Sequence, residues 1–166
     1  MAIVELLAKV LTVSDGVVAG TREDRSGAAL EELLAGAGFR VVERRVTEDG
    51  VESVSKALIS MTENFQGLVV STGGTGFGPR DLTPEGTKLV LEREAPGIAE
   101  AARLASPLGR LSRAVAGTRG TTLIINAPGS PAGAKETISA VLDIVPHALE
   151  LLAGISTGHE SVKQGH

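Results

Sequence analysis

Fifteen consecutive residues, Ser71-Thr72-Gly73-Gly74-Thr75-Gly76-Phe77-Gly78-Pro79-Arg80-Asp81-Leu82-Thr83-Pro84-Glu85, concentrate the groups of this chain that are fit for chemistry. They join the end of an apolar segment to a helix start through glycines at 73, 74, 76 and 78. Without Cβ atoms, such residues can take positive φ and bring backbone N–H groups close to an anion, and the helix start adds its dipole and unpaired amides. Phosphate is the natural guest. Arg80 can pair with it, whereas Asp81 would repel it unless a divalent cation stands between the carboxylate and the ligand. A nucleotide with magnesium satisfies both. Helix capping accounts for Thr83 as N-cap, Pro84 at the first helical position and Glu85 in the first turn. It does not call for Gly-Gly-Thr-Gly followed by an Arg-Asp pair. No Gly-Lys-Ser/Thr follows, and the glycine spacing is not a dinucleotide fingerprint, so neither of those folds is indicated.

The elements that must hold this loop alternate. Leu6 to Val13 reads as a strand ending in Ser14-Asp15, and Ser26 is placed to cap a helix with a stripe of Leu30, Leu33, Leu34 and Ala37. Gly38 stops that helix before a strand from Phe39 to Val46, and Asp49 opens a second helix with Val51, Val54, Leu58 and Met61 on one face. Gly67 to Ser71 is a short apolar strand that delivers the glycine loop. Helical stretches are expected over 84–94 and 96–105, each opened by Pro. Thr121 to Ile125 is the next buried strand, followed by Asn126-Ala127-Pro128-Gly129-Ser130-Pro131, a helix over 132–145 and a last helix over 146–153. This order predicts a three-layer α/β/α domain with a mostly parallel central sheet, over residues 1–157, with a polar tail over 158–166 too poor in apolar surface to order itself.

In such a sheet ligands gather at the carboxyl ends of the strands, and the suggestive polar residues fall there. Asp15 ends the first strand, Asp49 follows the second, the glycine loop the third, and Asn126 to Ser130 a later one. Taken singly, Asp49 and Ser130 read as helix caps and Asp15 as a turn residue. Their shared edge raises the functional reading. Arg22, Arg25, Arg113 and Arg119 are candidates for anion contact, Ser112-Arg113 most of all. A histidine metal site is not expected at His147, His159 or His166.

Composition narrows the classes. The 166 residues carry 16 Lys plus Arg against 20 Asp plus Glu, a formal charge of -4, and the only aromatics are 3 Phe. That balance does not favour a nucleic-acid surface, and few rings are available to stack bases. With no cysteine, disulfides, thiolate nucleophiles and cysteine-ligated zinc are excluded. The segment from Ile3 to Val13 carries Glu5 and Lys9, lacks a basic leader and is too short to span a bilayer, so the expected location is the cytoplasm, with no membrane partner.

With these residues in hand, the chain resembles the molybdopterin adenylyltransferase family of the MogA type, related to the MoaB proteins and to the G domains of gephyrin and the plant molybdenum-cofactor proteins. The likeness runs through Val13-Ser14-Asp15, Asp24-Arg25-Ser26-Gly27, Gly73 to Glu85, Ala95-Pro96-Gly97, Leu111-Ser112-Arg113, Asn126 to Ser130 and Pro146-His147-Ala148. Gly16 departs from it, since the family often carries Arg or a small polar residue there. The resemblance implies transfer of AMP from ATP to the terminal phosphate of molybdopterin, with Mg²⁺ and release of pyrophosphate. Asp49 and Asp81 then correspond to the catalytic aspartates and are expected to hold the metal. Asp15, Gly73, Gly74, Thr75, Gly76, Ser112, Arg113, Asn126, Pro128, Gly129 and Ser130 are the expected ligand contacts. A homotrimer and hand-over of product to a molybdate-inserting enzyme are implied as well. Two further functions are compatible with the likeness: a MoaB-like protein that binds molybdopterin without chemistry, and a trimeric scaffold.

Overall fold

The computed structural model describes residues 4–155. The expected tail over 158–166, with His159 and His166, and the boundary at 157 lie outside the described residues. Six strands form one sheet in the order β2-β1-β3-β6-β5-β4: β1 Leu7–Val13, β2 Arg40–Thr47, β3 Gly67–Thr72, β4 Arg93–Glu94, β5 Ala116–Arg119 and β6 Thr122–Ala127. The four strands β2, β1, β3 and β6 run parallel, β5 pairs antiparallel with β6, and β4 antiparallel with β5. The helices are α1 Asp15–Val18, α2 Arg25–Gly36, α3 Val51–Thr62, α4 Thr83–Lys88, α5 Pro96–Leu104, α6 Pro131–Ser139 and α7 Val145–Leu152. Two 3₁₀ turns, Pro107–Leu111 and Leu142–Ile144, complete the elements of the described residues.

Strand alternation sorts the core into two layers. Ala8, Val10, Leu68, Val70, Leu123 and Ile125 face a layer with Leu30 and Leu34 of α2, Ala99 and Ala102 of α5, Ile138 of α6 and Leu149 of α7. Leu11, Val13, Val69 and Ile124 face the opposite layer, with Val54, Leu58 and Met61 of α3. Both faces of the sheet are covered, so β3 and β6 are buried at every position and carry the apolar runs Leu68–Val70 and Leu123–Ile125. Lys9 falls on the α3 side. There its ammonium donates to the Met61 carbonyl at 2.9 Å, pairs with Glu43 at 3.3 Å and stacks on Phe65 at 4.2 Å, which compensates its partial burial.

The α2 crossover from β1 leads to one side of the sheet and the α3 crossover brings the chain back to β3 on the other face, so the order of the sheet reverses between β1 and β3. That reversal opens the crevice where an α/β sheet holds its ligand. The edges are guarded. Outer strand β2 carries Arg40, Glu43, Arg44 and Arg45, and β4 is two charged residues long.

Several boundaries differ from the sequence expectation. Asp24, not Ser26, caps α2, its side chain accepting from Gly27 N–H. Gly50, at φ 121°, precedes α3, so Asp49 does not cap that helix and its carboxylate takes other partners. Thr83 is the first residue of α4 rather than its cap, with Leu82 in that place. The helix expected over 84–94 stops at Lys88, because 93–94 is drawn into the sheet as β4 beside β5, and neither short strand has enough length to show a period. The helix expected over 132–145 ends at Ser139 and passes through a 3₁₀ turn into α7. Among the described residues no helix is long and apolar enough to cross a membrane.

Helices α3 and α4 touch at Gly86, where a Cβ would stand 2.8 Å from Val54 Cβ and 2.9 Å from the Val51 carbonyl. Backbone and a branched side chain cannot retreat cheaply. Gly86→Ala is expected to cost about 1–3 kcal/mol through forced separation of the two helices, read as a lower urea midpoint by circular dichroism, since the chain has no Trp or Tyr to follow by fluorescence.

Candidate functional site

A cavity of about 1150 Å³ opens at the carboxyl edge of the sheet. Its floor is the segment that leaves β3. Gly73 turns there at φ 101°, and a Cβ on it would collide with the Val13 carbonyl at 2.3 Å. Gly74 follows at φ 67°, where a Cβ would stand 2.3 Å from the Thr83 hydroxyl. Both positions need glycine for conformation and for space.

What fixes the loop is the capture of its carbonyls from behind. Thr83 donates its hydroxyl to Gly73 O at 2.8 Å and its N–H to Gly74 O at 3.0 Å. Arg113 donates its N–H to Thr75 O at 2.9 Å and its Nε to Gly76 O at 2.8 Å. In a trans peptide the next N–H points opposite to the carbonyl. With those carbonyls turned toward Thr83 and Arg113, the amides of Gly74, Thr75, Gly76 and Phe77 face the other way. Among the described residues the N–H groups of Gly74, Thr75 and Gly76 have no acceptor. They form an anion-binding nest of the kind seen where successive amides converge.

Arg113 was the strongest candidate for anion contact, and its guanidinium is committed elsewhere. Beyond Gly76 O it donates to Asp81 O and ion-pairs with Glu85, holding that carboxyl below the usual glutamate range. Thus Arg113 shapes the loop and does not line the cavity. The same holds for Asn126, which is 1% exposed. Its amide nitrogen donates to Ser71 Oγ at 2.8 Å and Thr87 Oγ1 at 3.0 Å, and its oxygen accepts from Val115 N–H at 3.2 Å, so it braces β6, β3 and α4 beneath the site. Arg119 donates to Val90 O, away from the cavity.

Two carboxylates flank the loop. Asp49 Oδ1 lies 3.2 Å from where a Gly74 Cβ would stand, and Asp81 Oδ2 lies 3.0 Å from that of Gly76. Asp81 Oδ2 also accepts from Gly78 N–H at 2.9 Å. Asp15 and Asp49 exchange hydrogen bonds, Asp15 N–H to Asp49 Oδ2 at 2.9 Å and Asp49 N–H to Asp15 Oδ1 at 3.1 Å, tying the ends of β1 and β2 together. Arg80 closes on this pair, its Nε 2.6 Å from Asp15 Oδ2 and its Nη2 3.1 Å from Asp49 O. The Arg80 guanidinium holds the Asp15 carboxyl below its ordinary value, while burial, with the charges of Asp15 and Asp81, pushes Asp49 up. Asp49 is therefore a partly buried anion short of positive charge. Among the described residues no group of three or more His, Cys, Asp or Glu is placed to hold a metal ion.

Of the expected contacts, Gly73, Gly74, Thr75, Gly76, Ser112, Pro128, Gly129 and Ser130 line the cavity with Asp49 and Asp81, and Asp15, Arg113 and Asn126 stand behind it. The β6 loop is drawn onto the glycine loop by Thr72 Oγ1 to Pro128 O at 2.7 Å and Gly73 N–H to Ala127 O at 3.1 Å. Ser130 caps α6 through Gly133 N–H at 3.1 Å. The far wall was missed in the sequence: Ser106, Leu108 and Leu111 of the 3₁₀ segment follow no period, and only Pro107 hints at a break. Thr83 was seen, but as a cap.

A family model described as the probable molybdopterin binding domain matches residues 9–147. The chain is 40% identical over 152 residues to a molybdopterin adenylyltransferase of Helicobacter pylori, covering 87% of this chain and 86% of that protein. It is 35% identical over 162 residues to gephyrin of Dictyostelium discoideum, covering 89% of this chain but 23% of gephyrin. The crystal structure of the molybdopterin biosynthesis enzyme MoaB of Thermus thermophilus superposes with a TM-score of 0.84 at 44% identity, over 90% of this chain and 97% of that one.

The opposite shifts of the two linked aspartates separate their contributions to stability. Asp15, depressed, stabilises the fold above the ordinary aspartate value of 3.8, and that contribution is lost as pH falls through its lower folded value. Asp49, raised, favours the fold below 3.8 and loses that contribution as pH rises through its higher folded value. At pH 7, Asp15→Asn should lower the thermal midpoint and Asp49→Asn should raise it. Both differences should shrink in scans toward pH 3; a lower midpoint for Asp49→Asn at pH 7 would contradict the assignment.

Proposed function

We propose, from the premise that this chain belongs to the family described as the probable molybdopterin binding domain, that it is a molybdopterin adenylyltransferase of molybdenum cofactor biosynthesis, joining AMP from ATP to the terminal phosphate of molybdopterin. The observation that carries this reading is the nest of outward amides at Gly74, Thr75 and Gly76 between the Asp49 and Asp81 carboxylates. Similarity to the H. pylori adenylyltransferase over most of both chains supports it.

The amides take the polyphosphate of ATP, as an array fixed before substrate arrives and therefore free of reorganisation cost in the transition state. An oxygen of the pterin phosphate bonds to the α-phosphorus of ATP, the bond from that phosphorus to the bridging oxygen breaks, and pyrophosphate leaves with its electron pair. The attacking oxygen is already anionic, so no side chain has to remove a proton. In-line placement and charge compensation are the tasks left to the protein. Asp49 and Asp81 fit Mg²⁺, which typically takes one or two carboxylates and completes its shell with phosphate oxygens and water. The raised Asp49 carboxyl marks where a cation would relieve repulsion. When bound, Mg²⁺ supplies charge neutralisation to the phosphates.

The match to a family described as a molybdopterin binding domain leaves room for a second reading, a MoaB-like protein that binds molybdopterin without transferring adenylate. Incubation with ATP, Mg²⁺ and molybdopterin decides between them: adenylylated pterin establishes the enzyme, and bound but unmodified pterin the alternative. In the enzyme, Asp49→Asn and Asp81→Asn should each cut turnover at least about 100-fold, roughly 3 kcal/mol of lost transition-state stabilisation, with pterin binding retained. Near wild-type rates in both variants would remove the two aspartates from catalysis.

The assembly is proposed as a homotrimer that works in the cytoplasm on small molecules and hands its product to a molybdate-inserting enzyme. Its support is the family resemblance together with the large exposed apolar side chains Leu104 at 86%, Leu108 at 74% and Phe77 at 70% exposure. Static light scattering should give three times the 17.0 kDa chain mass. A monomer that still adenylylates pterin would sink the trimer.

A further inference from the structure

The geometry points to a second anion-binding locus in the same cavity, at the N-terminus of α2, where Ser26 and Arg22 receive a phosphate group and Gly16 is the residue that admits Arg22. The inference rests on the reading of the glycine loop as the polyphosphate site and deepens it, because the reaction brings together two phosphate-bearing molecules.

The cap of α2 is already closed. Asp24 Oδ1 accepts from Gly27 N–H at 3.0 Å and from Thr12 Oγ1 at 2.8 Å, and Oδ2 accepts from Arg44 Nη2 at 2.8 Å, so this carboxylate is neutralised inside the fold. Ser26 is different. It lines the cavity, is only 8% exposed, and among the described residues neither its hydroxyl nor its N–H has a hydrogen-bond partner. Its hydroxyl therefore faces the cavity with donor and acceptor capacity that a ligand can take up. It stands at the start of a 12-residue helix, whose dipole favours negative charge there.

Arg22 supplies the formal charge. It lines the same cavity, and among the described residues its guanidinium makes neither a hydrogen bond nor an ion pair, whereas neighbouring Arg25 pairs with Glu23 at 3.5 Å. Its backbone is fixed: Gly16 O accepts from Thr21 N–H at 2.9 Å and from Arg22 N–H at 3.2 Å. Its stem lies over Gly16, where a Cβ would stand 2.7 Å from Arg22 Cδ and 3.0 Å from Cγ. Gly16 has no positive φ, so its conformation suits any residue; what requires glycine is room for this arginine. A methyl group at 16 would push aside a flexible side chain and leave the fold alone.

The test titrates methyl phosphate, and separately ATP, into the wild-type protein and into Arg22→Gln, Gly16→Ala, Ser26→Ala and the Gly16→Ala/Arg22→Gln double variant, at fixed ionic strength, with melting temperatures as the fold control. Arg22→Gln, Gly16→Ala and Ser26→Ala should each weaken methyl phosphate by about three- to tenfold, the loss of one charge-assisted hydrogen bond. The double variant should be no weaker than Arg22→Gln alone, since both changes remove one contact. In turnover, the substrate whose KM rises in Arg22→Gln owns the locus, which separates the pterin phosphate from the end of the nucleotide chain. Wild-type affinity for methyl phosphate in both Arg22→Gln and Ser26→Ala overturns the locus, as does a full additive loss in the double variant. Gly74→Val checks the underlying reading independently: if it keeps ATP affinity, the glycine loop is not the polyphosphate site, whatever Arg22 does.

Discussion

Everything at the carboxyl edge of this sheet depends on the direction in which four peptide units face. Gly73, Gly74, Thr75 and Gly76 turn their carbonyls to Thr83 and Arg113, and because a trans peptide opposes its C=O and N–H, the amides are aimed the other way, with no acceptor among the described residues. The alternative, carbonyls outward, would repel phosphate and leave Thr83 and Arg113 with unmet donors. One side-chain hydroxyl and one guanidinium thus set the sign of the site. Their own positions are secured further back: Thr83 by Thr87, whose hydroxyl donates to Thr83 O at 2.7 Å, and Thr87 in turn by Asn126.

This arrangement explains why residues with the most suggestive chemistry in the sequence sit behind the cavity. Arg113 and Asn126 are rich in donors, and donors in a well-packed site are as useful for holding a loop as for holding a ligand. Sequence alone cannot separate the two uses, because both call for the same residue types at the same strand ends. Gly73 and Gly74 were legible, since positive φ and lack of space require glycine there, whereas Gly76 and Gly78 have no positive φ and a Cβ on either would meet only the Asp81 carboxylate. Asp49 and Asp81 were legible by their place at strand ends, and their lining of one cavity followed from the topology.

The layer order, the parallel center and the long helices could be read because each had enough residues for a period to show. Boundaries failed where a short-range signal had two meanings. Ser26 and Asp24 are both good caps, and the earlier one won because Thr12 and Arg44 hold its carboxylate in place. Strand β4 is two residues long and takes its conformation from β5, a partner more than twenty residues away in sequence. The pairing of Asp15 with Arg80 was hidden for the same reason, since 65 residues separate them.

The margins of the sheet carry a consequence for how copies of this chain can meet. Outer strand β2 places Arg and Glu along its length, and the opposite margin, β4, is two charged residues long. A strand docking on either would have to strip water from those charges or find almost no ladder to join. Continuous sheets through several subunits are disfavoured at both margins. Contacts between copies are left to helix and loop surfaces, where the cavity mouth also lies.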